Sequence, residues 1–166
     1  MNNVIIEANQ NINDNVYTPP TTQSETTLIK GVELQGDFVI GSSIGANYSI
    51  NYRFMNKFAF GIGSGMYFGD EVLLPFFIHG IWNITETKLS PFVELKVGFC
   101  PHIYTYTDYY YNEYGYLTYE DVTDVGLYGL LGIVGGVQYS FNNSFAIKTS
   151  FYLETTNIGF GVGLIY

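Results

Sequence analysis

From Leu28 to the final residue, apolar side chains alternate with small or polar ones in eight successive runs. This two-residue period marks β-strands whose two faces meet different surroundings. The runs are Leu28 to Ile40, Ser43 to Phe54, Lys57 to Phe68, Val72 to Asn83, Ser90 to Ile103, Val125 to Ser140, Ser144 to Thr155 and Ile158 to Tyr166. Most hold roughly 10 to 14 residues, whereas ordinary sheet strands average about five or six and a tilted strand needs about 9 to 11 to cross a bilayer. The fourth run is the least regular, with apolar residues on both faces, and is assigned by continuity.

Charge then separates two barrels that share this pattern: a soluble cup with its apolar face inward, suited to carrying a hydrophobic ligand, and a membrane barrel with that face turned to lipid. On the apolar face the only charge is Lys30, at the very start of the first strand. The opposite face carries Arg53, Lys57, Lys96 and Lys148 together with Glu33, Asp37, Glu94 and Glu154, four of each sign. An enclosed interior requires such parity, because an unpaired buried ion costs several kcal/mol, whereas a water-facing surface does not. Glycine follows the charges: Gly61, Gly63, Gly65, Gly159, Gly161 and Gly163 all share the polar face, where an eight-stranded barrel has little room. The expected fold is therefore all-β, an eight-stranded antiparallel up-and-down transmembrane barrel with the charges as a paired lumenal network.

Composition agrees. Only 13% of residues are charged against about a quarter in soluble domains, and 47% are hydrophobic. The net charge of -9 argues against nucleic acid as a partner. Cys100 stands alone, so no intrachain disulfide can form, and no Cys/His cluster suggests a metal or other cofactor. The most apolar stretch, Val125 to Phe141, is too short and too glycine-rich for a membrane helix. Residues 1–27, polar and with Pro19-Pro20, read as a flexible lead before a barrel domain at 28–166, following a removed export signal.

Connections at one end are tight, at Met55-Asn56, Ile84 to Leu89 and Asn142-Asn143, whereas residues 104–124 form a long insert expected to project outward as a loop. It holds eight of the 16 tyrosines, among them Tyr106, Tyr109, Tyr110, Tyr111, Tyr114, Tyr116 and Tyr119, with Asp108, Glu113, Glu120, Asp121 and Asp124. Tyrosine offers contact area with a polar tip at little entropic cost, so this segment is the candidate binding surface for an extracellular protein or glycan. The same rings would equally serve as anchors at the lipid interface, on strands continuing beyond the bilayer. No calcium-loop spacing accompanies the acids. His79 and His102 have no serine placed to act with them, and both read as packed or rim residues rather than a catalytic base.

The runs Ile50-Asn51-Tyr52-Arg53-Phe54, Phe60-Gly61-Ile62-Gly63-Ser64-Gly65, Leu89-Ser90-Pro91-Phe92-Val93 and the terminal Phe160-Gly161-Val162-Gly163-Leu164-Ile165-Tyr166 resemble the small outer-membrane β-barrel family, the OmpX/OmpA-like eight-stranded proteins. The similarity spans residues 28–166 and is specific for architecture. It implies residence in the cell outer membrane, contact with membrane lipid and with the barrel-assembly machinery, and a C-terminal aromatic assembly signal, which Tyr166 matches. It implies no shared catalytic residues. The expected role is a non-enzymatic surface scaffold for binding or membrane protection, with a narrow gated solute or ion channel as the alternative.

Overall fold

The computed structural model describes residues 31–142 and 144–166; the lead at 1–27 and Lys30 lie outside them. The chain runs through β1 (Gly31–Gly41), β2 (Ile44–Met55), β3 (Phe58–Phe68), β4 (Val72–Leu73), β5 (Phe76–Asn83), β6 (Leu89–Tyr111), β7 (Leu117–Asn142), β8 (Phe145–Glu154) and β9 (Ile158–Ile165). Each pairs antiparallel with its neighbours, and β4 with β5 make one stave, giving a ring of eight. The ring closes between β1 and β9 in the register Gln35 to Ile165 through Gly41 to Gly159. Two further main-chain bonds extend the seam, from Leu34 N to Tyr166 O at 2.7 Å and from Tyr166 N to Leu34 O at 2.8 Å. Among the described residues this closure leaves neither β1 nor β9 as a free edge strand, which a sheet in hydrocarbon requires.

Alternation sets the two walls. Phe58, Phe60, Ile62, Phe151 and Phe160 are exposed on the outside, whereas Arg53, Lys96 and Lys148 are buried within the ring. A soluble cup requires the reverse, so the carrier reading fails. The apolar wall extends to Ile103 on β6 and Val125 on β7, which face each other across the ladder.

Three features depart from the sequence expectation. The fourth run is interrupted: Leu74 and Pro75 leave the ladder, because proline has no N–H to donate. The carbonyl of Pro75 still accepts from Gly65 N at 3.0 Å, so the stave holds its place. Second, the 104–124 insert, expected to project as a loop, is a two-stranded ribbon, as the alternative of strands continuing past the wall has it. Tyr104 pairs with Asp124, and the register continues without slip to Tyr111 and Leu117. Tyrosine and threonine suit a pleated ribbon. The bend needs only residues 112–116, where Asn112 Oδ1 accepts from the amides of Tyr114 at 3.1 Å and Tyr116 at 3.0 Å, and Gly115 takes φ +77°. Third, the other connections at that end are as tight as those at the opposite end: Ser42-Ser43, Gly69 to Glu71 and Thr155 to Asn157. The asymmetry of the barrel is carried by one hairpin.

Candidate functional site: a charged core and a tyrosine hairpin

The interior is held by side chains from five strands, β1, β2, β5, β6 and β8. At the short-turn end Arg53 forks onto Glu33, with its Nη2 donating to Oε2 at 3.1 Å and its Nε to Oε1, while Nη1 donates to Asn83 Oδ1 at 3.2 Å. Further in, Glu94 sits at a crossing: Oε1 meets His79 Nδ1 at 2.6 Å and Lys96 Nζ at 3.7 Å, and Oε2 meets Lys148 Nζ at 3.5 Å. Lys148 also pairs with Asp37 at 3.0 Å, and Lys96 with Glu154 at 2.9 Å. Aromatic rings complete the seats of both lysines, with Lys96 Nζ 4.6 Å from the Phe77 centroid and 4.8 Å from that of Tyr152, and Lys148 Nζ 5.4 Å from that of Phe92.

Lys57 does not join this network. It lies just past the β2–β3 turn, where it reaches Glu86 at 3.9 Å with both side chains nearly half exposed. The register of β3 begins at Phe58, so Lys57 belongs to the turn rather than to a lumenal row. That leaves four acids, Glu33, Asp37, Glu94 and Glu154, against three bases.

His79 stands beside this acidic excess. Its Nε2 lies 2.7 Å from Asn51 Oδ1, while Asn51 Nδ2 is committed as a donor to Gln35 Oε1 at 3.4 Å. An oxygen thus lies within hydrogen-bond distance of each ring nitrogen, a geometry that suits a ring donating from both. The sequence reading took His79 as a packed or rim residue. Its part in the charge count depends on which neighbours the closed ring brings to it.

Glycines make room for these groups. Gly163 stands opposite both Asp37 and Lys148, Gly132 opposite Glu154 and Lys96, and Gly61 opposite Asn51 and His79. A Cβ on Gly163 would overlap Asp37, and one on Gly61 would overlap Asn51. The small residues are therefore the counter-mould of the charged ones, in an eight-stranded interior that side chains fill.

Beyond the membrane-facing wall, the hairpin separates its tyrosines by parity. Tyr104, Tyr106 and Tyr110 continue the lumenal row of β6, with Asp124, Val122 and Thr118 as their partners on β7. Tyr109, Tyr111 and Tyr119 continue the lipid-facing row, and Tyr114 and Tyr116 lie at the bend. The lumenal-row rings stack: His102 lies 3.8 Å from Tyr128 and 5.5 Å from Tyr104, and Tyr104 lies 6.0 Å from Tyr106. Tyr104 donates its hydroxyl to Asp124 Oδ2 at 3.1 Å, and that bond, reinforced by the carboxylate's charge, holds the phenol's pKa above its ordinary value. At the foot of the hairpin an open cavity of about 470 Å³ is lined by Ser42, Ser43, Asp70, Glu71, Tyr128 and Thr156.

Comparison with family models and with curated proteins finds no match. Among solved structures, the chain is similar to the N-terminal β-barrel domain of Pseudomonas aeruginosa OprF, with TM-score 0.57 and 16% identity over 81% of this chain and 94% of that one. It is also similar to Neisserial surface protein A, with TM-score 0.56 and 14% identity over 81% and 96%. At these identities the likeness shows the fold alone, a closed eight-stranded β-barrel.

Proposed function

We propose that this protein is a non-enzymatic resident of an outer membrane, a scaffold with a filled charged core that presents the Tyr-rich hairpin for binding or for protection of the membrane surface. The observation that carries this reading is the pairing of a wall apolar on the outside with a two-stranded ribbon that continues past it. Absence of catalysis is supported by the histidines: His79 is held in the charge network and His102 is stacked against tyrosines. The seam residue Tyr166 suits an assembly signal, being exposed as a side chain while its main chain closes the ring.

The test is to replace residues 105–123 by Asn-Gly, a two-residue hairpin turn. The shortened barrel should still require detergent for extraction and still show a heat-dependent shift on a gel. Cells displaying it should lose adhesion, or gain sensitivity to envelope stress, relative to the full chain. Unchanged behaviour in both respects would remove the hairpin from the function.

One observation favours a second reading, a narrow gated path. Asp37 Oδ1, Asn47 Oδ1, Ser49 Oγ, Ser150 Oγ and Tyr152 OH are buried without a partner among the described residues, and buried polar groups of this kind are satisfied by water. Discrete conductance in a planar bilayer, altered by Lys148→Met, would support it. Silence from both proteins would leave the scaffold.

A further inference from the structure

We infer that the lumenal-row face of the hairpin binds an extended polypeptide bearing arginine at alternate positions. The inference rests on the reading of the hairpin as a binding element and specifies its working face and its partner.

Charge comes first. Between Lys96 and Lys148 the sequence has no Lys or Arg, so the hairpin carries Asp108, Glu113, Glu120, Asp121 and Asp124 without a single basic residue of its own. Asp108 and Glu120 stand directly opposite each other in the register. Like charges in that position destabilise a strand pair. On the same face, the rung is flanked by Tyr106 on one side and Tyr110 on the other, both nearly half exposed. A local repulsion set between two aromatic platforms is relieved by a cation that can stack as well as pair.

Guanidinium meets both demands, because it stacks on aromatic faces and forks onto carboxylates. A metal ion fits less well: among the described residues no three Asp, Glu, His or Cys side chains converge as ligands. A second copy of this chain would bring the same negative face, and an anionic lipid surface would be repelled. The length of the face selects a polymer over a small cation. Asp124 and Glu120 are four residues apart on β7, about 14 Å at 3.4 Å per residue. An extended peptide places alternate side chains about 7 Å apart, so arginines four residues apart reach both acids while the intervening residues lie on the tyrosines.

The test uses the full chain folded in vesicles of zwitterionic lipid and a labelled Arg-Thr-Arg-Thr-Arg-Thr-Arg-Thr peptide, with its lysine counterpart, spermine and magnesium as competitors. Binding should weaken with salt and fall at least tenfold in D108N/E120Q, a variant whose hairpin loses the repulsion and stays folded. Tyr106→Leu with Tyr110→Leu should lower affinity for the arginine peptide more than for the lysine peptide. Tyr109→Leu with Tyr111→Leu, on the opposite face, should leave both unchanged. Equal losses from the two faces, unchanged binding in D108N/E120Q, or spermine competing as well as the arginine peptide would each overturn the inference. Should peptide binding fail while deletion of residues 105–123 still abolishes adhesion, only the assignment of partner falls. Should that deletion leave adhesion and envelope protection intact, the binding role of the hairpin itself falls.

Discussion

Replacing Glu94 by Gln tests the charge network at its most connected point. The substitution keeps the shape of the side chain and removes one negative charge from a fully buried position that faces His79, Lys96 and Lys148. Three acids would then face Arg53, Lys96, Lys148 and the ring of His79. Lys96 keeps Glu154 and Lys148 keeps Asp37, so the group left without its charged partner is His79. Removing one partner of a buried pair costs about 3–5 kcal/mol, since the remaining charge stays desolvated. Urea unfolding in lipid vesicles, read by heat-modifiability on a gel, measures the loss. Lys57→Gln is the internal control: its pair with Glu86 is long and half exposed, worth about 0–1 kcal/mol. The decisive variant is Glu94→Gln with His79→Gln, which restores parity as Glu33 with Arg53, Asp37 with Lys148 and Glu154 with Lys96. It should be more stable than Glu94→Gln alone. If the double variant loses as much as the two single variants summed, His79 is not the fourth cation and the reasoning fails.

Three other outcomes are expected. Gly163→Val should abolish the folded form in a heat-shift assay, because its Cβ would overlap Asp37, whereas Gly80→Ala, on the open outer face with nothing within 4 Å, should stay within about 0.5 kcal/mol of the parent. Gly115→Ala should cost about 1–2 kcal/mol, since φ there is +77°, and should loosen only the hairpin tip, as read by amide exchange at residues 109–119. The Tyr104 phenol, held above its ordinary value by Asp124, should titrate at lower pH in Asp124→Asn, as followed by the ring-carbon NMR shift. Because the neutral phenol is the donor, whatever the bond contributes to the hairpin is lost as pH rises through the folded-state pKa; an unchanged titration would mean that the bond does not form in solution.

How far the sequence could be read depends on the range of the forces involved. The run Ile50 to Phe54 shows the parity that sends Tyr52 to lipid and Arg53 to the core, because strand alternation is a local steric property. The break at Pro75 has a local signal as well, a residue without an N–H inside a run with two apolar faces. The hairpin was partly legible: the alternation of Tyr104, Tyr106 and Asp108 with Thr105 and Thr107 is strand-like, yet nothing local says that Tyr104 will find Asp124 rather than solvent. Lys57 was misplaced for a related reason. One residue separates a turn from a lumenal row, and the boundary is set by the pairing of Met55 with Phe58 across a bulge, not by the identity of the lysine.

The amino-acid order alone determined the strand count, the inward and outward faces, and the need for opposite charges inside, since each follows from a two-residue period and the cost of a lone ion away from water. Only the assembled sheet decided which charges meet. The contacts of Glu94 with Lys148 and of His79 with Asn51 join residues two strands apart in the sheet, and that of Lys148 with Asp37 crosses the seam made when β9 pairs with β1. Coulomb attraction and hydrogen bonding act through space, and the spacing of residues along the chain does not contain the distances that closure creates.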